Sequence, residues 1–132
     1  MKVKPWDEIV NRINSIEINE TFDLIVAIAN GGLIPAALLN QRLQVDFQFI
    51  KLNFRNAKQQ PVYSAPQLLE DLHFDVAEKR ILLVEDRVKT GATLQYAKEL
   101  LSNATMIKTL AVNGKADYSL FDEPCFLFPW II

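Results

Sequence analysis

Apolar residues along this chain follow two kinds of pattern, and the two take turns. Trp6, Ile9, Val10, Ile13 and Ile16 recur at helical spacing, with Pro5 just ahead and Asp7 and Glu8 placed to favour a positive helix end. That spacing predicts an amphipathic opening helix. The run LIVAI at 24–28 is wholly apolar and rich in β-branched residues, and it closes on Ala29-Asn30-Gly31-Gly32. It reads as a strand buried on both faces and entering a glycine turn. A second helix is predicted from roughly Pro35 to Leu43. Val45, Phe47 and Phe49 then alternate with Asp46 and Gln48, the mark of a half-buried strand reaching about Asn53. ILLV at 81–84 predicts another fully buried strand, and Thr93 to Leu101 a helix with Leu94, Ala97, Leu100 and Leu101 on one face. MIKTLAV at 106–112 and CFLFPWII at 125–132 predict two further strands.

Strand and helix alternate through most of the chain, so the economical architecture is α/β, a mainly parallel central sheet flanked by helices on both faces. No repeat or linker interrupts it, and residues 1–132 read as one domain. The exception to the periodicity is FRNAKQQPVYSAPQ, residues 54–67, polar and proline-punctuated. A loop of this length inside a compact domain is more often functional than ornamental, which makes it a candidate flap over a site, with Arg55 and Lys58 as cations it could bring in.

Composition narrows the chemistry. Half the residues are hydrophobic and 23% are charged, which argues against disorder. A net charge of −2 gives no broad attraction to nucleic acid or an anionic membrane. The opening MKVKPWDE lacks the apolar stretch of a signal peptide, and no apolar run approaches the roughly 20 residues of a membrane span, so a cytoplasmic protein is expected. There is one cysteine and one histidine, which excludes an intrachain disulfide and an ordinary zinc-ligand set. Cys125, inside CFLFPW, is expected to be a buried, inert thiol, and His73 a surface or satisfied core residue.

The sharpest chemical signal is Glu85-Asp86-Arg87-Val88-Lys89-Thr90-Gly91-Ala92-Thr93, set between a buried strand and a helix. Ligands in open α/β sheets sit beyond the carboxyl ends of strands. There Thr90, Gly91, Ala92 and Thr93 would offer backbone N–H groups and two hydroxyls at a helix N-terminus, which suits a phosphate. Glu85 and Asp86 can accept hydrogen bonds from a vicinal diol such as a ribose and help retain a magnesium ion shared with phosphates. The plainer alternative is a helix start capped by Thr90 or Thr93 beside a solvated acidic strand end. The segment fits neither a Walker A loop nor a dinucleotide G-x-G-x-x-G.

This segment resembles the phosphoribosyl-pyrophosphate motif of type I phosphoribosyltransferases: an apolar strand, two acids, two spacers, then D-T/S-G-x-T. IVAIANGGLIPAALLNQRL, residues 25–43, is similar to the family's pyrophosphate loop, and the opening Trp6 to Ile9 and closing FPW resemble xanthine-guanine enzymes. The resemblance implies the type I fold and transfer of a phosphoribosyl group from phosphoribosyl pyrophosphate to a 6-oxopurine base, with magnesium bound alongside that substrate. It also implies a homo-oligomer. Glu85 and Asp86 would hold the ribose hydroxyls, Asp86 would face the magnesium, and Thr90, Gly91, Ala92 and Thr93 would hold the 5′-phosphate. Asn30 and Gly31 would face pyrophosphate, in a loop where the family often uses a cis peptide. Lys115 would hydrogen-bond the purine carbonyl, although locally it also reads as a turn lysine. The position of the ring that stacks on the purine, just ahead of F-P-W, is here Cys125 or, with a one-residue shift, Phe126, and Trp130 reads as a core or interface residue.

The sequence also departs from the pattern. Asn30 replaces an arginine or lysine, Lys89 replaces the acid before T-G, and Ile131 replaces a closing acid. Lys89 would therefore sit at a catalytic position with the wrong charge for a base, although Lys89 and Arg87 together add two positive charges beside the phosphate loop and should strengthen binding of phosphoribosyl pyrophosphate. These departures keep a rival alive, a catalytically weakened domain that binds phosphoribosyl pyrophosphate or a nucleotide as a sensor.

Overall fold

The computed structural model describes residues 1–53, 67–68 and 72–131. In chain order the elements are α1 (Trp6–Ser15), β1 (Leu24–Ala29), α2 (Leu33–Leu43), β2 (Asp46–Asn53), β3 (Gln67–Leu68), β4 (Arg80–Arg87), α3 (Ala92–Leu100), β5 (Met106–Asn113) and β6 (Tyr118–Phe121). The flap expected at 54–67 lies outside the described residues except for Gln67, and so do Arg55 and Lys58.

The sheet among the described residues has six strands in the order β3-β2-β1-β4-β5-β6. All neighbours are parallel except β3, which runs antiparallel to β2 at the edge. Apolar runs with no polar alternation form the middle strands because both faces are covered. Successive side chains point to opposite faces, so each run feeds two cores. Ile25, Ala27, Leu82, Val84, Leu110 and Val112 pack on one face with Ile9 and Ile13 of α1 and Ala36 and Leu39 of α2. Leu24, Val26, Ile28, Ile81 and Leu83 pack on the other with Leu94 and Ala97 of α3 and with Leu101. The expected α/β architecture, mainly parallel and covered on both sides, is what the chain adopts.

Strand order also locates a crevice. From β1 the chain crosses through α2 to β2 on one side, then returns to β4 on the other side of β1. The loops leaving β1 and β4 therefore part company at a topological switch point, where α/β sheets leave room for a ligand. These loops carry Asn30-Gly31-Gly32 and Lys89 to Gly91.

Near the carboxyl terminus the expectation fails. CFLFPWII is not a sheet strand: its one backbone pairing among the described residues is the isolated bridge of Leu127 with Val3. The edge position beside β5 belongs instead to β6, whose four residues bury only Leu120 and so give a weak sequence signal. What resembled a strand is an extended segment that drops Phe126 and Phe128 into the core below α1 and α2. Cys125, expected to be buried, is exposed.

Candidate functional site

The buried run of β4 continues through Glu85, which is 9% exposed, and ends in the half-buried Asp86 and Arg87. Glu85 Oε1 accepts the backbone N–H of Asp86 at 3.1 Å, and Asp86 Oδ1 accepts that of Arg87 at 2.6 Å. Burial pushes the Glu85 carboxyl well above the usual carboxylate range, and the neighbouring Asp86 charge pushes it further.

Asp86 turns toward the β1–α2 loop and lies against Gly31, where an added Cβ would collide with its carboxylate. At Gly32 an added Cβ would meet the backbone carbonyls of Val84 and Ile28. The glycine pair is thus required by the close approach of the β1–α2 loop to the ends of β4 and β1. The Ala29–Asn30 peptide is cis, as the resemblance led us to expect. Gly32 N–H donates to Ile28 O at 2.8 Å, and Leu33 N–H to Asn30 O at 3.1 Å, which closes the turn into α2.

Beyond β4, Val88 N–H donates to Asn113 O at 2.9 Å, and Gly114 packs its α-carbon against Val88 with φ 122°. The Lys89 to Gly91 loop and the turn carrying Lys115 are therefore adjacent. Gly91 is the N-cap of α3 with φ 84°, a left-handed conformation in which glycine carries no Cβ penalty. Neither Thr90 nor Thr93 is the N-cap, but Thr90 Oγ1 accepts the Ala92 N–H at 3.2 Å, so one donor of the expected phosphate cradle is already engaged. Lys89, Thr90 and Lys115 are exposed, and Thr93 is half-buried in the first turn of α3.

Two expectations change here. Phe126 is only 5% exposed and sits edge-on to Phe121 and Phe128, with Lys4 Nζ 4.5 Å from its ring centre. A ring so enclosed has no free face for a base. Arg87, read from sequence as a positive charge beside the phosphate loop, instead donates from Nη2 to Phe126 O and lies 4.8 Å from the Phe128 ring centre. Asn113 escaped the sequence reading: 4% exposed, it bonds the Glu123 backbone N–H and carbonyl, both at 3.0 Å. A lone asparagine at a strand end carries no sequence signal for such a role.

The family model for the phosphoribosyl transferase domain matches residues 6–127, nearly the whole chain. This chain belongs to the phosphoribosyltransferase family. A xanthine-guanine phosphoribosyltransferase of Chromohalobacter salexigens is 31% identical over 137 aligned positions, covering 95% of this chain and 80% of that one. An orotate phosphoribosyltransferase of Sulfurisphaera tokodaii is 30% identical over 97, covering 74% of this chain but only 45% of its relative, so the chain spans under half of that protein. The crystal structure of a purine phosphoribosyltransferase from Pyrococcus horikoshii superposes with a TM-score of 0.82 at 26% identity, over 97% of this chain and 92% of that one. The fold of this phosphoribosyltransferase is thus that of type I members. No helix among its described residues is long and apolar enough to cross a membrane.

Proposed function

We propose that this phosphoribosyltransferase transfers the phosphoribosyl group of phosphoribosyl pyrophosphate to a 6-oxopurine, releasing pyrophosphate. The observation that carries the reading is the convergence of the acid pair, the glycine loop and the α3 N-terminus on one switch point, with Asp86 held directly against Gly31. The purine relatives span most of their length with this chain, whereas the orotate relative does not, which favours a purine.

In this reading the N–H groups of Gly91 to Thr93 and the Thr90 and Thr93 hydroxyls take the 5′-phosphate. An arriving phosphate oxygen displaces the Thr90 hydroxyl from the Ala92 N–H. Asp86 and Glu85 accept the ribose hydroxyls, and donation from a hydroxyl favours the ionised form of Glu85 that burial disfavours. Asn30 and Gly31 face the departing pyrophosphate, and Lys115 donates to the purine carbonyl.

No group of three acidic, histidine or cysteine side chains able to hold a metal occurs among the described residues. The donor set fits a magnesium ion carried by the substrate's own oxygens, with Asp86 as its protein carboxylate. When bound, such an ion would neutralise charge on the leaving pyrophosphate. The protein supplies alignment of base and sugar, and donors aimed at the leaving group. Self-association belongs to the same reading, supported by exposed Met1, Val3, Trp6, Leu127 and Ile131 along the paired terminal segments.

Turnover with guanine, hypoxanthine, xanthine, adenine and orotate tests the proposal. A 6-oxopurine should be preferred over adenine, with that preference lost in Lys115→Ala, because a site built around one hydrogen bond rejects bases lacking the acceptor. Equal use of adenine and guanine sinks the purine assignment. The exposed Lys89, standing where an acid is usual, favours a second reading, tight sugar-phosphate binding with little chemistry. Binding of phosphoribosyl pyrophosphate without turnover of any base would select it.

A further inference from the structure

The last stretch of the chain, 122–130, closes over the carboxyl ends of β4 and β5 without joining the sheet. Its backbone pairs with the amino-terminal segment, Lys4 N–H to Leu127 O and Leu127 N–H to Lys2 O, both at 2.9 Å. Two side chains tie it to the strand ends. One is Asn113, the last residue of β5, through its paired bonds to Glu123. The other is Arg87, the last residue of β4, whose Nη2 donates to Phe126 O at 2.5 Å. The guanidinium also covers Phe128, which in turn stacks on Trp130 with ring centres 4.9 Å apart and planes 3° from parallel.

Arg87 is poorly explained by stability alone. Its Nε is buried with no hydrogen-bond partner among the described residues. A buried unpartnered donor costs stability, and an apolar side chain of similar length would fill the same space without that penalty. What the apolar side chain could not do is bond a carbonyl at a set distance from the residue next door. That neighbour is Asp86, whose carboxylate already accepts Arg87's own backbone N–H. One residue therefore touches the ribose-side acid through its main chain and the 122–128 segment through its side chain.

We infer that Arg87 is a positioning residue that sets the spacing between the acid pair and the segment walling the base. This rests on the function proposed above, in which the acids take the ribose and Lys115 donates to the base; Asn113, two residues before Lys115, ties the segment through Glu123 to that same strand end. A planar guanidinium suits the task, since its fork loses less freedom per bond than a lysine ammonium. Loss of Arg87 should leave the fold standing. The segment is also held from its outer side by Lys4, which pairs with Glu123 at 2.5 Å and Glu8 at 3.0 Å and lies over the Phe121 and Phe126 rings.

The test compares two ligands that differ only by the base, ribose 5-phosphate and guanosine 5′-monophosphate, by calorimetry on the parent, Arg87→Met and Arg87→Lys. Neither measurement requires turnover. In Arg87→Met the affinity for ribose 5-phosphate should stay within about twofold, while the advantage of the nucleotide over the sugar phosphate falls about tenfold, the scale of one charge-assisted hydrogen bond. Arg87→Lys should recover part of that advantage. An unchanged advantage in Arg87→Met overturns the inference while leaving the proposed site intact, and so does a parallel loss for both ligands. If Arg87→Met melts below the assay temperature, Arg87→Lys decides, and a nucleotide advantage equal to the parent's overturns the inference. A parent that binds neither ligand removes the proposed site and this role with it.

Discussion

Gly31 and Gly32 are adjacent, yet a methyl group on each should do opposite kinds of damage. At Gly31 the atoms an added Cβ meets all belong to the Asp86 side chain, which can swing away. At Gly32 they are main-chain atoms of Val84 and Ile28, the latter's carbonyl oxygen at 2.8 Å, held by the β1–β4 pairing. Overpacking against a fixed neighbour costs about 1–3 kcal/mol, and Gly32→Ala should reach the upper part of that range in urea denaturation. Gly31→Ala should cost less in stability and more in binding, because the displaced Asp86 no longer meets the ribose. A hydrogen bond to a charged group contributes about 1.5–3 kcal/mol, so one lost bond weakens phosphoribosyl pyrophosphate binding about 10- to 100-fold. Calorimetry on the parent, Gly31→Ala, Asp86→Ala and the double variant reads this directly. If the collision with Asp86 is the mechanism, Gly31→Ala adds little once Asp86 is gone. Full binding loss from Gly31→Ala in the Asp86→Ala background, or a Gly31→Ala less stable than Gly32→Ala, refutes the reasoning.

Three further outcomes are expected. Glu85 has a folded-state pKa raised by burial, so its contribution to stability is fully present below an unfolded value of about 4.3 and is lost as pH rises through the folded value. Glu85→Gln should therefore be more stable than the parent at pH 8 and lose that advantage near pH 4, and equal urea midpoints at both pH values would exclude this. Gly91 has open space around its α-carbon but φ 84°, so Gly91→Val should suffer from backbone strain rather than collision, about 1–2 kcal/mol, and weaken phosphate binding more than Gly91→Asn. Lys89→Asp should raise kcat, since a general base contributes about 10²–10⁴-fold, and a fall in kcat would show that the lysine serves the working site.

Much of this was readable from the one-dimensional pattern, for a physical reason. LIVAI and ILLV lack alternation because helices cover both faces of their strands, and that same coverage forces the parallel, crossover-connected architecture. The acid pair and T-G-A-T were legible because a strand end followed by a helix start is local. What failed was non-local. The phase of CFLFPW could be read either way, and the bridge between Val3 and Leu127 decides it, turning Phe126 inward and leaving Cys125 outside. Gly31 was legible as a loop residue, but its collision with Asp86 depends on two strands whose contact no spacing encodes. Arg87 read as a positive charge beside a phosphate loop, but the returning carboxyl-terminal segment gives it a carbonyl and a ring to meet.

A chain of net charge −2 with two carboxylates at the centre of its proposed site is an unexpected holder for the proposed substrate, which carries several phosphates. The helices resolve the conflict. α1 carries Asp7 and Glu8 in its first turn, which offset the positive end of its dipole. α2 and α3 begin at the switch point and have no acid in their first turns and no side-chain cap at their N-caps, Gly32 and Gly91. Apart from the Leu33 N–H held by Asn30 O and the Ala92 N–H held by Thr90 Oγ1, their positive ends meet the phosphates in the proposed function, while Asp86 and Glu85 at the end of β4 would address hydroxyls and a cation. In that reading backbone dipoles supply the attraction for phosphate at positions where the acids need not be removed. Fixed peptide dipoles do not titrate, so phosphate affinity should track ionic strength far more than the charge state of any side chain in the loop.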